Sequence, residues 1–267
     1  MLKSGSELRL RDLYLNRLIA FQDTEPVKII TGIRRCGKSS LMKLMILHLR
    51  DTGVADDQII EMNFESMDFR RMTVEELYRY VKERLPEKKR AYLFFDEIQR
   101  IDQWQDAVNS FRVDFDCDIY VTGSNSKLMS SEISTYLTGR YVSIPVYTLS
   151  FKEYLDFKAD STLSRRELLE EYIRFGGFPI IALSEYDEQS AYQIVNGIYH
   201  TVVSRDIVKR HRINKQDLFD RVVKYIIENM GKTFSANSIS TFLKSEHRKV
   251  SVESIYNYLR WLEQAFI

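Results

Sequence analysis

Proline, cysteine and net charge are all in short supply in this sequence. Only 4 of its 267 residues are proline, while 44% are hydrophobic and 29% charged, a balance that excludes a disordered or fibrous chain. The 2 cysteines, Cys36 and Cys117, are too few and too far apart for a disulfide framework, so a reducing compartment fits best. A formal net charge of +1 gives no overall attraction to nucleic acid or membrane, and any polyanion contact must come from a local patch. No stretch approaches the roughly 18 uncharged apolar residues needed to span a bilayer, and Met1-Leu2-Lys3-Ser4-Gly5-Ser6-Glu7 has no signal-peptide core. Internal repeats and low-complexity tracts are absent too. The expectation is a cytoplasmic protein with no membrane contact. With roughly 100–200 residues per domain as the usual scale, the length implies one sizeable unit plus a smaller one.

Short apolar runs of β character recur at Val27–Thr31, Ile59–Phe64, Ala91–Phe95, Ile119–Thr122 and Tyr141–Val146, separated mostly by segments of helical period. That alternation predicts an α/β core with a parallel sheet whose strands are buried on both faces. The helices read as Lys38–Arg50, Thr73–Arg84, which opens on the capping pattern Thr73-x-x-Glu76, and Ile101–Phe111, with Ile101, Trp104, Ala107, Val108 and Phe111 on one face. From Phe151 to Arg212 the strand signal stops and helical patterning continues, broken at Gly176-Gly177-Phe178-Pro179. Three further helices are expected at Asp217–Met230, Ala236–Lys244 and Val252–Phe266, in the manner of a winged-helix unit. The expected domains are a core over 1–150, a helical lid over 151–212 and a winged helix over 213–267. The apolar end Ala265-Phe266-Ile267, with no wing strands after it, reads as a truncation.

The densest chemical signal is Gly32-Ile33-Arg34-Arg35-Cys36-Gly37-Lys38-Ser39, placed between the first strand and a strong helix. A triphosphate is held best by convergent backbone N–H groups at a helix N-terminus, which requires glycines where the chain bends around it. Gly32 and Gly37 supply those bends. Lys38 would reach the β- and γ-phosphates and Ser39 would ligate Mg²⁺, with Ser40 continuing the helix. Ile33, Arg34, Arg35 and Cys36 complete the phosphate-binding loop; Arg34 and Arg35 touch phosphate or a neighbouring subunit, or are simply solvated or salt-bridged.

Ala91–Phe95 ends in Asp96-Glu97. The strand is expected beside the one that feeds the loop, with Asp96 on Mg²⁺ and Glu97 orienting and deprotonating the attacking water. A complete strand-helix unit, Ile59 to Arg84, separates the two motifs and leaves room for an additional strand between theirs. Asp118–Thr122 leads into Gly123-Ser124-Asn125, where Ser124 or Asn125 senses the γ-phosphate or positions water, or forms a plain turn. Arg140 stabilises charge on the transferred phosphoryl group, in cis or from a neighbouring subunit, or makes a structural salt bridge; Arg205 is a lower-ranked candidate for the same role.

Other patterns fail on context. Asn214-Lys215-Gln216-Asp217 matches a guanine-specificity motif but follows a charged stretch instead of a buried strand, so a helix start is the better reading and ATP is favoured over GTP. Asp114, Asp116 and Asp118 lack the glycine and glutamate of a calcium loop, and the four histidines show no zinc spacing.

In this order, Thr31–Ser39, Asp96-Glu97-Ile98-Gln99, Thr122-Gly123-Ser124-Asn125-Ser126, Gly139-Arg140, Leu149–Tyr154 and Gly176–Pro179 resemble the predicted AAA+-superfamily ATPases of the AAA_14 group, which carry a DUF4143 C-terminal domain. The resemblance runs from about Arg11 to Ile213, and Ser251–Leu259 is similar to the family's winged-helix segment. It implies a P-loop NTPase of the AAA+-like, additional-strand, catalytic-glutamate type with a three-layer core. It also implies phosphate binding at Gly32 to Ser40, Mg²⁺ at Ser39 and Asp96, and water activation at Glu97; the further C-terminal domain of longer members is expected to be missing here. The expected function is Mg²⁺-dependent ATP binding and hydrolysis that drives a conformational change acting on DNA or on a protein partner, including a second copy of the chain. The alternative is a slow, nucleotide-gated module that contacts DNA through residues 244–260, with Lys244, His247, Arg248, Lys249 and Arg260.

Overall fold

The computed structural model describes residues 8–123, 137, 139–248 and 250–267. It divides into two compact units, one extending to Val195 and the other Asn196–Ile267.

The first unit is built on five parallel strands, β1 (Val27–Thr31), β2 (Ile59–Asn63), β3 (Ala91–Asp96), β4 (Cys117–Thr122) and β5 (Tyr141–Pro145), in the order β2-β3-β4-β1-β5. Parallel strands need crossover helices, and these cover both faces. Helices α1 (Asp12–Ala20) and α2 (Lys38–Asp51) pack on one face, where Leu18, Leu41 and Met45 meet Ile30, Phe94, Tyr120 and Ile144. Helices α3 (Val74–Lys82) and α4 (Trp104–Asp114) cover the other, with Leu77, Val81, Val108 and Phe111 against Ile29, Met62, Leu93, Phe95 and Val121. This is the expected three-layer α/β P-loop NTPase fold.

Two sequence expectations about the sheet need correction. Strand β3 does not lie beside β1, because β4 pairs with both and separates them. The additional strand is therefore β4; the Ile59–Arg84 unit lies outside, with β2 at the sheet edge. Nor are all strands buried on both faces. β1 and β3 are buried throughout, but β2 alternates and only Ile144 of β5 is fully buried, since an edge strand has a neighbour on one side only.

Helix boundaries follow local chemistry. Thr73 caps α3 and its amide donates to the Glu76 carboxylate at 2.8 Å, the capping box expected from the sequence and a contribution of about 1 kcal/mol. The helix expected from Ile101 starts at Trp104 instead, because Gln103 has φ 57°, a left-handed conformation that cannot continue a helix.

At the amino end of the sheet, Lys28 and Asp118 form an ion pair with no solvent exposure. Asp118 also accepts from the Tyr120 hydroxyl at 2.9 Å and the Asp23 amide at 2.9 Å, which offsets the desolvation of both charges. After β5 the first unit continues through α5 (Phe151–Phe157), α6 (Arg165–Phe175), α7 (Pro179–Ala182) and into α8 (Glu188–Thr201), with a small core of Leu149, Tyr154, Phe157, Leu168 and Ala182.

The second unit holds a π-helical segment, Val202–Val208, and helices α9 (Gln216–Glu228), α10 (Ala236–Ser245) and α11 (Val252–Gln264). Its core includes Phe219, Val222, Ile239, Leu243, Ile255 and Leu262. Among its described residues there is no strand. Gln216 opens α9, so Asn214–Asp217 is a helix start as expected.

Candidate functional site

In a parallel α/β sheet the strands deliver their next residues to the same edge, and ligands bind at that carboxyl edge. Four strand ends meet there. β1 runs into the Gly32–Gly37 loop, β4 ends in Thr122, β3 in Asp96 and β2 in Asn63, and the register sets Asn63 opposite Asp96 and Ile30 opposite Thr122.

The loop needs its glycines for two separate reasons. Gly32 has φ 152°, and a β-carbon there would stand 2.2 Å from the Val146 carbonyl oxygen. Gly37 has φ 103° and serves as the N-cap of α2. The 14-residue α2 has no acidic residue in its first turn, so its N-terminal N–H groups and dipole are left for an external anion. Lys38 is buried and its Nζ donates to the carbonyls of Gly32 at 2.9 Å and Ile33 at 3.1 Å. An ammonium group has three protons, so one is left for a phosphate oxygen. Ser39 and Ser40 are exposed at the start of the helix. Arg34 lies 3.8 Å from Glu65, Arg35 is exposed with φ 65°, and Cys36 is fully buried.

Asp96 is buried and held at both oxygens. Thr122 Oγ1 donates to Oδ1 in a short hydrogen bond and Asn63 Nδ2 donates to Oδ2 at 3.1 Å. Each carboxylate oxygen keeps a second lone pair. Glu97 has φ 56°, an uncommon conformation outside glycine. It turns the chain out of β3, and its amide donates to Thr122 Oγ1 at 3.0 Å. Thr122 therefore links both acidic residues to β4. Burial pushes the Glu97 carboxyl above the ordinary range; Lys38 opposes this, Asp96 adds to it, and Arg34 and a hydrogen bond from Gln99 oppose it. A carboxylate raised in this way suits a general base.

A Mg²⁺ ion takes one or two protein oxygens and otherwise phosphate and water oxygens. The exposed Ser39 hydroxyl and the free lone pairs of Asp96 fit that donor set. Among the described residues, no group of three or more His, Cys, Asp or Glu gathers to cage a metal.

Not every residue singled out in the sequence joins this cluster. Asn125 and Ser124 lie outside the described residues, as does Lys249. Arg140 immediately precedes β5, and its carbonyl accepts from the Val27 amide at 2.9 Å. It thus stands at the amino edge of the sheet, about 16 Å from the carboxyl edge for a five-residue strand, which rules out the expected cis action on the loop of its own chain. Arg205 is exposed in the π-helical segment of the second unit. In the 244–260 stretch Lys244, His247 and Arg260 are exposed, but Arg248 is paired with Asp217, which interrupts the cationic run.

The sequence reading missed Arg11, Asn63 and the environment of Gly176–Pro179. Asn63 showed only as a polar end to an apolar run. Arg11 is 4% exposed and its Nη1 donates to the Cys36 carbonyl, within the loop, at 2.9 Å and to the Tyr147 carbonyl at 3.0 Å. Its Nε donates to Glu153 of α5 at 2.8 Å. A side chain at Gly37 would meet Pro179 Cγ at 3.8 Å, so the Gly176–Pro179 turn abuts the loop. Gly177 is needed there because a β-carbon would come 2.2 Å from the Leu149 carbonyl oxygen.

Comparison with known proteins agrees with this geometry. Residues 24–155 match the AAA_14 model, described as an AAA domain, and residues 166–267 match a domain of unknown function, DUF8612. An uncharacterized protein of Haemophilus influenzae is 37% identical over 261 residues, covering 96% of this chain and 65% of its own length. Another, from Methanocaldococcus jannaschii, is 36% identical over 253 residues, covering 90% of this chain and 55% of its own. The chain thus spans between half and two thirds of these relatives. Among solved structures, a Walker-type ATPase of Pyrococcus abyssi superposes with a TM-score of 0.66 at 16% identity, over 96% of this chain and 89% of that one. At that identity the likeness is one of fold. No helix among the described residues is long and apolar enough to cross a membrane.

Proposed function

We propose that this chain, whose residues 24–155 match the AAA_14 model of an AAA domain, is a P-loop ATPase that binds ATP with Mg²⁺, hydrolyses it, and couples nucleotide state to a movement that acts on DNA or on a protein partner. The observation that carries this reading is the convergence of Lys38, Asp96 and Glu97 at one sheet edge, with Lys38 and Asp96 both acting on the Glu97 carboxyl.

The α2 N-terminus and the loop amides bind the phosphates, and Lys38 adds a charge at the β- and γ-phosphates. Ser39 and Asp96 would hold Mg²⁺. When bound, the ion would supply positive charge to neutralise the phosphates. Thr122 and Asn63 fix the Asp96 carboxylate, so it needs no reorganisation when the metal arrives. Glu97 accepts a proton from water as the water oxygen bonds to the γ-phosphorus. The bond from that phosphorus to the bridging oxygen breaks and its electron pair leaves with ADP. Arg140 serves a neighbouring copy's nucleotide, because its own loop is out of reach.

Coupling is supported by contacts within the first unit. Arg11 joins the loop to α5, and the Gly176–Pro179 turn touches Gly37, so a shift of the loop on nucleotide binding is felt in the helical segment. Steady-state hydrolysis and equilibrium binding of ATP with Mg²⁺ test the proposal. Lys38→Ala should lose binding, whereas Glu97→Gln should keep binding and lose about 10²–10⁴-fold in turnover. Undetectable ATP binding by the natural sequence would falsify it. Adding duplex DNA to the same assay, and measuring the salt dependence of any affinity, separates a nucleic-acid target from a protein one.

A further inference from the structure

Gln99 is the last residue of the Asp96–Gln99 run, and its side chain turns back on Glu97. It lies in the short 3-10 turn Ile98–Arg100, anchored by the fully buried Ile98. Its Nε2 donates to Glu97 Oε2 at 2.5 Å. A carboxylate can only accept, so the amide must present its NH₂ to Glu97 and its oxygen elsewhere. That oxygen, Oε1, is buried and has no hydrogen-bond partner among the described protein atoms. Leaving such an acceptor unsatisfied costs about 1–3 kcal/mol, which a surface-bound amide would avoid by rotating into solvent. The contact with Glu97 prevents that rotation.

We infer that Gln99 positions the attacking water together with Glu97: Nε2 holds the carboxylate in place, and Oε1 accepts a hydrogen bond from the same water that Glu97 deprotonates. This rests on the hydrolytic reading above. Water has two protons, and a water held by both Glu97 and Gln99 Oε1 would have both of them directed, which leaves an oxygen lone pair for the γ-phosphorus. In the reaction one proton passes to Glu97 and the other stays on the oxygen that becomes part of inorganic phosphate. Gln99 keeps all of its protons and acts only through position. The Asp96-Glu97-Ile98-Gln99 spacing makes this possible, because the left-handed backbone at Glu97 starts a tight turn that brings residues 97 and 99 to the same side.

The test uses the full chain with MgATP, measuring kcat and KM across the acid limb, the affinity for a non-hydrolysable ATP analogue, and thermal unfolding. Gln99→Met keeps the length of the side chain but removes both polar atoms; it should lower kcat about 100-fold, leave analogue affinity within about twofold and move the acid limb to higher pH, because a hydrogen bond to the ionised base is lost. Gln99→Glu, which keeps the shape and adds a like charge, should move the acid limb further in the same direction. Gln99→Met or Gln99→Glu with unchanged kcat and an unmoved acid limb overturns the inference, as does a loss of kcat matched by an equal loss of analogue affinity. Glu97→Gln separates the two levels of argument. If it turns over ATP like the natural sequence, the reading of Glu97 fails and Gln99 fails with it; if it is inactive while Gln99→Met is not, only the role of Gln99 is lost.

Discussion

Arg11 Nη1 lies 2.9 Å from the carbonyl oxygen of Cys36, so a residue from the start of α1 is hydrogen-bonded to the middle of the phosphate loop. The guanidinium is almost wholly buried, and its remaining bonds go to Tyr147 and Glu153. Its planar fork reaches three elements at once, which a lysine ammonium on a flexible stem cannot reproduce.

Arg11→Ala is therefore expected to destabilise the first unit by about 3 kcal/mol, since it removes a buried cation and leaves two carbonyls and Glu153 without their donor. For a unit of this size that is a fall of roughly 6–12 °C in Tm. Arg11→Lys should recover part of it. Glu153 is pushed up by burial, but the bonds from Arg11 and from Ser150 outweigh this and hold its carboxyl below the ordinary range. The contribution of the pair is thus present at neutral pH and disappears as pH falls through the lowered pKa, so the Tm gap between the natural sequence and Arg11→Ala should narrow in acid. Equal Tm values at neutral pH would count against the strut.

Gly32→Ala should abolish nucleotide binding even where the chain still folds. The added carbon would meet a backbone oxygen at 2.2 Å, and a backbone group cannot rotate away as a side chain can. Relief requires movement either of the loop or of the residues after β5, and both carry the site. Calorimetric titration with ATP reads this directly, and Gly139→Ala is the control, because no atom of the described residues lies within 4 Å of its β-carbon position. Although φ 70° there adds some strain, the site itself should be untouched.

Glu97→Gln should be more stable than the natural sequence at neutral pH. A carboxyl whose pKa is raised on folding binds a proton more readily folded than unfolded, so stability declines as pH climbs from the unfolded pKa through the raised folded one. Above that window the ionised form carries the whole desolvation cost, and an amide does not. Melting curves across pH should show the advantage of Glu97→Gln shrinking in acid, where Glu97 is neutral. The same raised pKa places the acid limb of hydrolysis above that of an ordinary glutamate. A variant no more stable than its parent at any pH would remove the case for a strained base.

The phosphate loop and the Asp96-Glu97 pair were legible in the sequence because both are local. A glycine-bounded loop between an apolar strand and a helix, or two carboxylates ending an apolar strand, place their own groups through bonds that span few residues. β1 is bounded as its composition predicts, and the Thr73 and Ser150 caps follow from side chains three residues apart. Arg140 shows the limit of such reading. Its position before a strand was clear, but which edge that strand start would occupy depends on the direction in which β5 pairs with β1.

The same division separates what the sequence determined from what tertiary structure decided. Residue order alone brought together the groups of the proposed phosphate site, since backbone amides, lysine and hydroxyl lie within eight residues of one another. Sheet order, with β4 between β1 and β3, was decided only by packing, and it alone sets Thr122 against Asp96 and Glu97. The placement of Arg11 behind Cys36 and of Pro179 beside Gly37 was decided in the same way. Each of these contacts closes a long loop of chain, and burial of apolar surface across the whole sheet, not any local preference, provides the free energy that offsets the entropy of closing it.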